Sequence, residues 1–219
     1  MIDNETLFLV VDTETTNSID DPFAYDVGFA VVKATGEVLE AHSYVVADIF
    51  LDKDLMASAY FAEKIPQYWE DIKSGKRVLT SFYNIRKTLL EDIAEFEVEE
   101  VYAYNMRFDY LSLNNTERWL TKSQYRYFLT KDLVICDIMK MARDVIAPMP
   151  TYKRFCEEHG YMTKNNRVQL KAETVYKFIT KDLDFIESHT GLEDLMIEKE
   201  ILAYCYRQHK AMRKKLWEN

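Results

Sequence analysis

The stretch Leu7-Phe8-Leu9-Val10-Val11-Asp12-Thr13-Glu14 sets an unbroken apolar run against an acidic triplet. The apolar half is short and rich in β-favouring side chains, the pattern of a strand buried on both faces. Residues i and i+2 of a strand project to the same side, so Asp12 and Glu14 present two carboxylates side by side at the strand's end. Adjacent carboxylates repel unless a donor or a cation pairs with them, and the motif contains no Lys or Arg. Hard oxygen ligands at close quarters suit Mg²⁺ or Mn²⁺. Taken alone, the same triplet also fits a pair of solvated loop acids.

Outward from this strand, residues 27–32 and 38–46 read as two more strands. They are joined by Ala34-Thr35-Gly36-Glu37, whose glycine suits a tight hairpin. Residues 48–77 turn helical and aromatic, with a break at Ser74-Gly75. A helix over 81–96, a strand over 98–104, a helix after Asn105, a strand over 133–136 and helices to the C-terminus complete the reading. Three hairpin strands followed by alternating helices and strands describe an α/β fold with a mixed sheet flanked by helices. With 219 residues, 5 Gly and 4 Pro, the chain has little linker material, and we read 1–219 as one domain.

Two further acidic motifs follow. Asn105-Met106-Arg107-Phe108-Asp109 comes directly after the 98–104 strand. Asn105 is a good N-cap, which places Asp109 one turn into a helix beside the strand ends, where it serves either a site or the helix dipole. Phe108 reads as a core residue first and as a substrate contact second. In His189-Thr190-Gly191-Leu192-Glu193-Asp194, Thr190 and Glu193 have capping-box spacing. His189 and Asp194 then take the two positions that a hydrophobic staple normally brings together. A polar pair there makes a poor staple, whereas an imidazole beside a carboxylate suits catalysis.

These three motifs resemble, in order and type, the histidine-bearing (DEDDh) branch of the DEDD exonuclease superfamily, the DnaQ-like proofreading and ribonuclease T group. That family's D-x-E is matched by Asp12 and Glu14, its N-x-x-F-D by Asn105, Phe108 and Asp109, and its H-x-x-x-x-D by His189 and Asp194. The strand before Asp137 also looks like the family's strand between the second and third motifs, with Asp137 as a helix cap. The resemblance implies a ribonuclease H-like fold and a 3′-to-5′ exonuclease holding two divalent metal ions on Asp12, Glu14, Asp109 and Asp194. His189 would be the general base, and Thr15 and Thr16 would meet the terminal 3′-hydroxyl of a single-stranded DNA or RNA end. Asn17 stands where family members often carry glycine; asparagine tolerates the left-handed conformation. Residues 48–77 have no counterpart in the family pattern.

Bulk properties bound the rest. A formal charge of −9 argues against coating long nucleic acid by charge alone, and suggests frayed ends or a protein partner that delivers substrate. Cys136, Cys156 and Cys205 show no C-x-x-C pair and read as reduced, mostly core thiols. No basic leader precedes the apolar run 7–11, which is too short for a membrane span, so a cytoplasmic location is expected. Arg118, Lys122, Arg126 and Lys131 read as a solvated helix face or a guide for a phosphate backbone. Tyr60, Phe61, Tyr68 and Trp69 read as core packing or base-stacking surfaces. His42, His159 and His209 lack partners at ligand spacing and read as surface or packing residues. The basic stretch Arg207 to Lys215 reads as the complement of a helix C-terminus. Two rivals stand beside the nuclease reading: a noncatalytic nucleic-acid-binding or scaffold protein on the same fold, and a glycosidase using a carboxylate pair. The second leaves His189 without a role.

Overall fold

The computed structural model describes residues 3–16 and 21–217; Asn17 lies outside them. Six strands form one sheet: β1 (Leu7–Thr16), β2 (Phe23–Lys33), β3 (Val38–Val46), β4 (Val78–Thr80), β5 (Glu100–Ala103) and β6 (Val134–Asp137). Their order is β4-β3-β2-β1-β5-β6. The first three pair antiparallel, whereas β4 lies parallel to β3, β5 to β1 and β6 to β5. This is the mixed α/β sheet of the ribonuclease H-like fold. Gly36, with φ of 92°, turns the β2–β3 hairpin, and its N–H donates to the Lys33 carbonyl at 2.9 Å.

Helices cover both faces. On one side α1 (Ala47–Phe50), α3 (Ile65–Ser74), α4 (Phe82–Glu95) and α5 (Met106–Thr121) pack on Leu9, Val11, Val27, Phe29 and Val31. The short α2 (Lys53–Met56) and a 3₁₀ turn at Ala62–Lys64 link α1 to α3. On the other side α6 (Ile138–Val145), α7 (Pro150–Glu158), α8 (Ala172–Thr180) and α9 (Gly191–Arg207) pack on Phe8, Val10, Ala30 and Val32. Alternate residues of β1 thus enter two different cores, which is why residues 7–11 are apolar throughout.

Several expectations need correction. β1 runs on to Thr16, so Asp12 and Glu14 sit within the strand and not at its end. Residues 48–77 are not one helical stretch but three short helices and a 3₁₀ turn, and the segment ends against β4, a strand too short to show a period. The chain does not stay helical to its end. After α9 it doubles back along β6, where the Asp137 N–H donates to the Lys214 carbonyl at 2.7 Å and the Leu216 N–H to the Ile135 carbonyl at 2.8 Å. This covers the outer sheet edge, which would otherwise expose unpaired backbone groups. The tail's cations follow suit: Arg213 binds Asp144 at 2.8 Å and Lys214 binds Glu100 at 2.7 Å, ion pairs that hold the tail in place of the expected helix-dipole role. Arg207 alone stands in the last turn of α9. All three cysteines are free and buried, as read from their spacing. His42 is held by Asp92 at 3.0 Å and His159 packs on Phe155, both packing roles. Among the described residues no helix is long and apolar enough to cross a membrane.

One contact fixes how α9 meets the sheet. A Cβ added to Gly28, in the middle of β2, would stand 2.4 Å from the Leu192 backbone nitrogen and 2.5 Å from the Gly191 carbonyl carbon. Both obstacles are backbone, so neither can swing aside. Gly28→Ala is therefore expected to cost about 3 kcal/mol, the upper part of the usual overpacking range. Urea denaturation measures it, and a loss below about 0.5 kcal/mol would show that α9 can back away from the sheet without strain.

Candidate active site

The end of β1 opens on a cleft of about 550 Å³, lined among others by Asp12, Glu14, Asn105, Phe108, Asp109 and His189. Asp12 and Glu14 share one face of β1, and a register shift follows Glu14 where the strand bends. Asp109 enters from the first turn of α5. Its Oδ1 accepts the Thr13 N–H at 3.0 Å and the Thr13 hydroxyl at 2.9 Å, clasping helix to strand. Asp194 comes from the first turn of α9, held by the Ser188 hydroxyl at 3.1 Å. Glu14, His189 and Asp194 each offer a ligand atom, and the three atoms lie within 4.8 Å of one another. The structure thus brings all five predicted residues to one place.

The supporting residues differ more from expectation. Asn105 stands at the N-cap of α5 but makes no side-chain cap; its φ is 63°, and its N–H donates to Asp137 Oδ1 at 3.3 Å. Its value here is tolerance of the left-handed region. Asp137 does cap α6, accepting from the Met139 N–H at 2.8 Å. Phe108 is half-buried and faces the cleft, outside both core clusters, so its side chain is not core packing. Thr15 lines the cleft, but Thr16 is buried away from it and pairs with Ala59. The capping box does not form. Thr190 makes no cap bond and donates instead to Glu193 Oε2 at 2.8 Å, because that carboxylate is claimed by Arg77 at 2.6 Å and Lys76 at 2.7 Å. Two cations outbid a backbone N–H for a carboxylate.

The aromatic segment divides. Tyr68 is core, whereas Tyr60 is 74% exposed and lines the cleft with Phe61, so core packing does not describe those two. The Phe61 ring stacks on His189 with centroids 4.2 Å apart and planes at 10°. His189 itself has φ of 53°, a strained backbone for a residue other than glycine, at the turn into α9.

Three features escaped the sequence reading. Asp26 lies opposite Glu14 on β2, and its Oδ2 accepts the Gly191 N–H at 2.9 Å, the Tyr68 hydroxyl at 2.6 Å and Arg77 at 3.2 Å. An acid inside an apolar strand was the available signal. Arg77 is wholly buried and joins Asp26, Asp71 and Glu193 from three elements; nothing local marks it. Glu198 is buried beside the cluster, accepting the Tyr104 N–H at 3.1 Å, and stands one helical turn after Asp194, where an i,i+4 reading would have found it.

The electrostatics describe a surplus of negative charge. Burial, then Glu198, Asp109, Glu14 and Asp194, hold the Asp12 carboxyl well above the usual carboxylate range. Burial and then Asp26 push Glu14 up to about 9. Burial raises Asp109 to about 7 against the Thr13 bonds, and Asp194 to about 6 against its Ser188 bond. Burial lowers His189 below its ordinary range, with Lys64 adding to the effect, so the ring is neutral at pH about 7. Among the described residues lining the cleft there is no Lys or Arg. Clustered carboxylate oxygens without a protein cation fit divalent metal ions.

No family model matches the chain, and no curated protein matches it in sequence. Its fold does match solved structures. Exonuclease X in complex with 5′ overhanging duplex DNA aligns at 15% identity with a TM-score of 0.51, over 92% of both chains. The zinc-bound E. coli exonuclease I complex with single-stranded DNA aligns at 16% identity with a TM-score of 0.60, over 94% of this chain. The chain spans 42% of that second protein.

The raised carboxyl groups set a testable pH dependence. Between about 4 and about 9 the metal-free folded protein keeps protons that the unfolded chain has released, so its stability falls as pH rises through that window. In chelator, the melting temperature should decline from about pH 5 to about pH 9; Mn²⁺ added near pH 8 should raise it again, because the ion binds only the folded cluster. A melting temperature that ignores both pH and Mn²⁺ would contradict the assignment.

Proposed function

We propose that the chain is a metal-dependent 3′-to-5′ exonuclease, releasing nucleoside 5′-monophosphates from single-stranded ends, with DNA slightly favoured over RNA. The observation that carries this reading is the convergence of Asp12, Glu14, Asp109, Asp194 and His189, from motifs far apart in sequence, on one cleft with no Lys or Arg among its described lining residues. The DNA complexes of exonuclease X and exonuclease I, which share the fold, support the substrate class. On this reading the whole chain is one exonuclease domain.

Asp12, Glu14, Asp109 and Asp194 would hold two divalent ions, Mg²⁺ or Mn²⁺. Bound there, such ions supply an activated water and stabilise the departing 3′ oxygen. Asp12 would serve both ions, Glu14 and Asp194 the water-activating one and Asp109 the other. His189 takes the proton from the attacking water through its neutral ring. Thr15, Asn105 and Phe108 line the cleft where the terminal nucleotide enters, with Phe108 offering a ring face to its base. Thr16, buried away from the cleft and paired with Ala59, would not meet the substrate.

A time course on matched DNA and RNA strands labelled at the 5′ end should give ladders shortening from the 3′ end with Mg²⁺ or Mn²⁺, and no cleavage with chelator. Asp12→Ala should remove nearly all turnover without loss of fold, and His189→Ala should slow it by roughly 10²–10⁴-fold. Absence of cleavage with either metal would favour a noncatalytic nucleic-acid-binding protein on this fold.

A further inference from the structure

Residues 118–131 carry Arg118, Lys122, Arg126 and Lys131 and no acid, on a chain whose formal charge is −9. They do not form the solvated helix face that their sequence suggests. Arg118 lies on α5, Lys122 ends that helix in the left-handed region, and Arg126 and Lys131 lie in the turn beyond. Two of the cations are laid over rings. The Arg118 guanidinium stands 4.8 Å from the centre of the Tyr127 ring, and its Nε donates to the Arg126 carbonyl at 3.3 Å. The Lys122 ammonium stands 4.5 Å from the Trp119 ring. Beside them Tyr125 is 82% exposed, its ring free to be stacked upon.

The patch is connected to the cleft. Phe108, Leu111, Asn115, Arg118 and Lys122 alternate in steps of three and four, so they lie along one stripe of α5. The stripe begins at Phe108 in the cleft, passes Leu111, which is 40% exposed, and ends at the cations. At about 1.5 Å per residue it is about 21 Å long. That length matches about six nucleotides of a stacked strand at about 3.4 Å each.

We infer that this stripe and the turn after it form an upstream track for the single strand whose 3′ end occupies the cleft, the cations meeting its phosphates and Tyr125 and Tyr127 its bases. The inference rests on the exonuclease reading for the direction of the strand. The surface chemistry itself, rings interleaved with cations, is that of single-strand recognition.

The test uses the full chain, 5′-labelled DNA strands of about three, six and twelve nucleotides, and a salt series, with KM as the readout. For the unaltered protein KM should fall about tenfold from the shortest strand to the longest. In the double variant Arg118→Gln, Lys122→Gln that length advantage should vanish, and the salt dependence of KM should lose about 0.7 per phosphate contact removed. Tyr125→Ser, a change on a largely exposed side chain, should raise KM for the twelve-nucleotide strand about fivefold. Undiminished length and salt dependence in both variants would overturn the track and leave the patch to a protein partner. Should the protein cleave nothing, binding of the labelled twelve-nucleotide strand followed by anisotropy separates the two ideas. Loss of binding in the variants would keep the track while the exonuclease reading falls; equal binding would end both.

Discussion

The seating of α9 on β2 is the constraint on which the rest depends. Gly28 and Gly191 let two backbones meet at a distance that any side chain would forbid, and Asp26 accepts the Gly191 N–H at the same point. This contact lies directly beside Asp12, since Gly28 is the register partner of Asp12 and Asp26 that of Glu14. A helix held any farther from the sheet would carry Asp194 out of reach of Glu14. The buried Arg77 then ties Asp26 to Glu193 on α9 and to Asp71 on α3. Removing one partner of such a buried group costs about 3–5 kcal/mol, because the remaining charges are stranded. The clasp therefore locks the approach of α9 far more firmly than helix capping, worth about 1 kcal/mol, would have done.

Burial raises two sets of acids alike, and the cations beside one set reverse the outcome there. Glu193, with Lys76 and Arg77 beside it, is held at about 2 in spite of its burial. Asp12, Glu14, Asp109 and Asp194, with no cation among them, are all pushed upward. A fold that supplies a buried arginine to one carboxylate group and none to its neighbours has left the second group's compensation to something outside the chain. On the proposed reading divalent ions would meet that need, and the destabilisation of the empty cluster would be the counterpart of its affinity for them.

How much of this was legible in the sequence follows from the range of the forces involved. The strands at 7–11, 27–32 and 38–46 announced themselves as short β-rich runs, the first two buried on both faces, and the helix at 82–95 by the helical spacing of its apolar residues. The site acids were legible as three short motifs, and the structure brings them together. What was missed depends on contacts distant along the chain. β4 is three residues long and exists through its pairing with β3, and the tail follows β6 because an edge needed covering. The capping box failed because Arg77, more than a hundred residues away, took its glutamate. Gly28, like Asp26 and Glu198, carried a visible signal, since glycine within a strand marks a close approach of another backbone.

The two walls of the cleft are built to different standards of rigidity. Asp12, Glu14 and Asp109 are fixed by the sheet and by the Thr13 clasp, on elements that cannot shift without disturbing a core. His189 sits on a turn with a left-handed backbone, outside both cores, and its ring is steadied by the Phe61 face alone among aromatic neighbours of the described residues. Phe61 in turn belongs to the segment that has no counterpart in the family pattern and that is tied to β1 by the Tyr60 N–H to the Thr15 carbonyl at 3.2 Å. That divergent segment is thus neither a spacer nor part of the sheet. It forms the aromatic wall of the cleft, and it orients the imidazole while the sheet holds the carboxylates. On the proposed reading, a strand end entering between Phe61 and Phe108 would meet His189 on the adaptable wall and the carboxylates on the rigid one. Charge placement demands fixed oxygens, whereas a proton acceptor needs only to reach a water, so the less constrained backbone falls where the chemistry tolerates it.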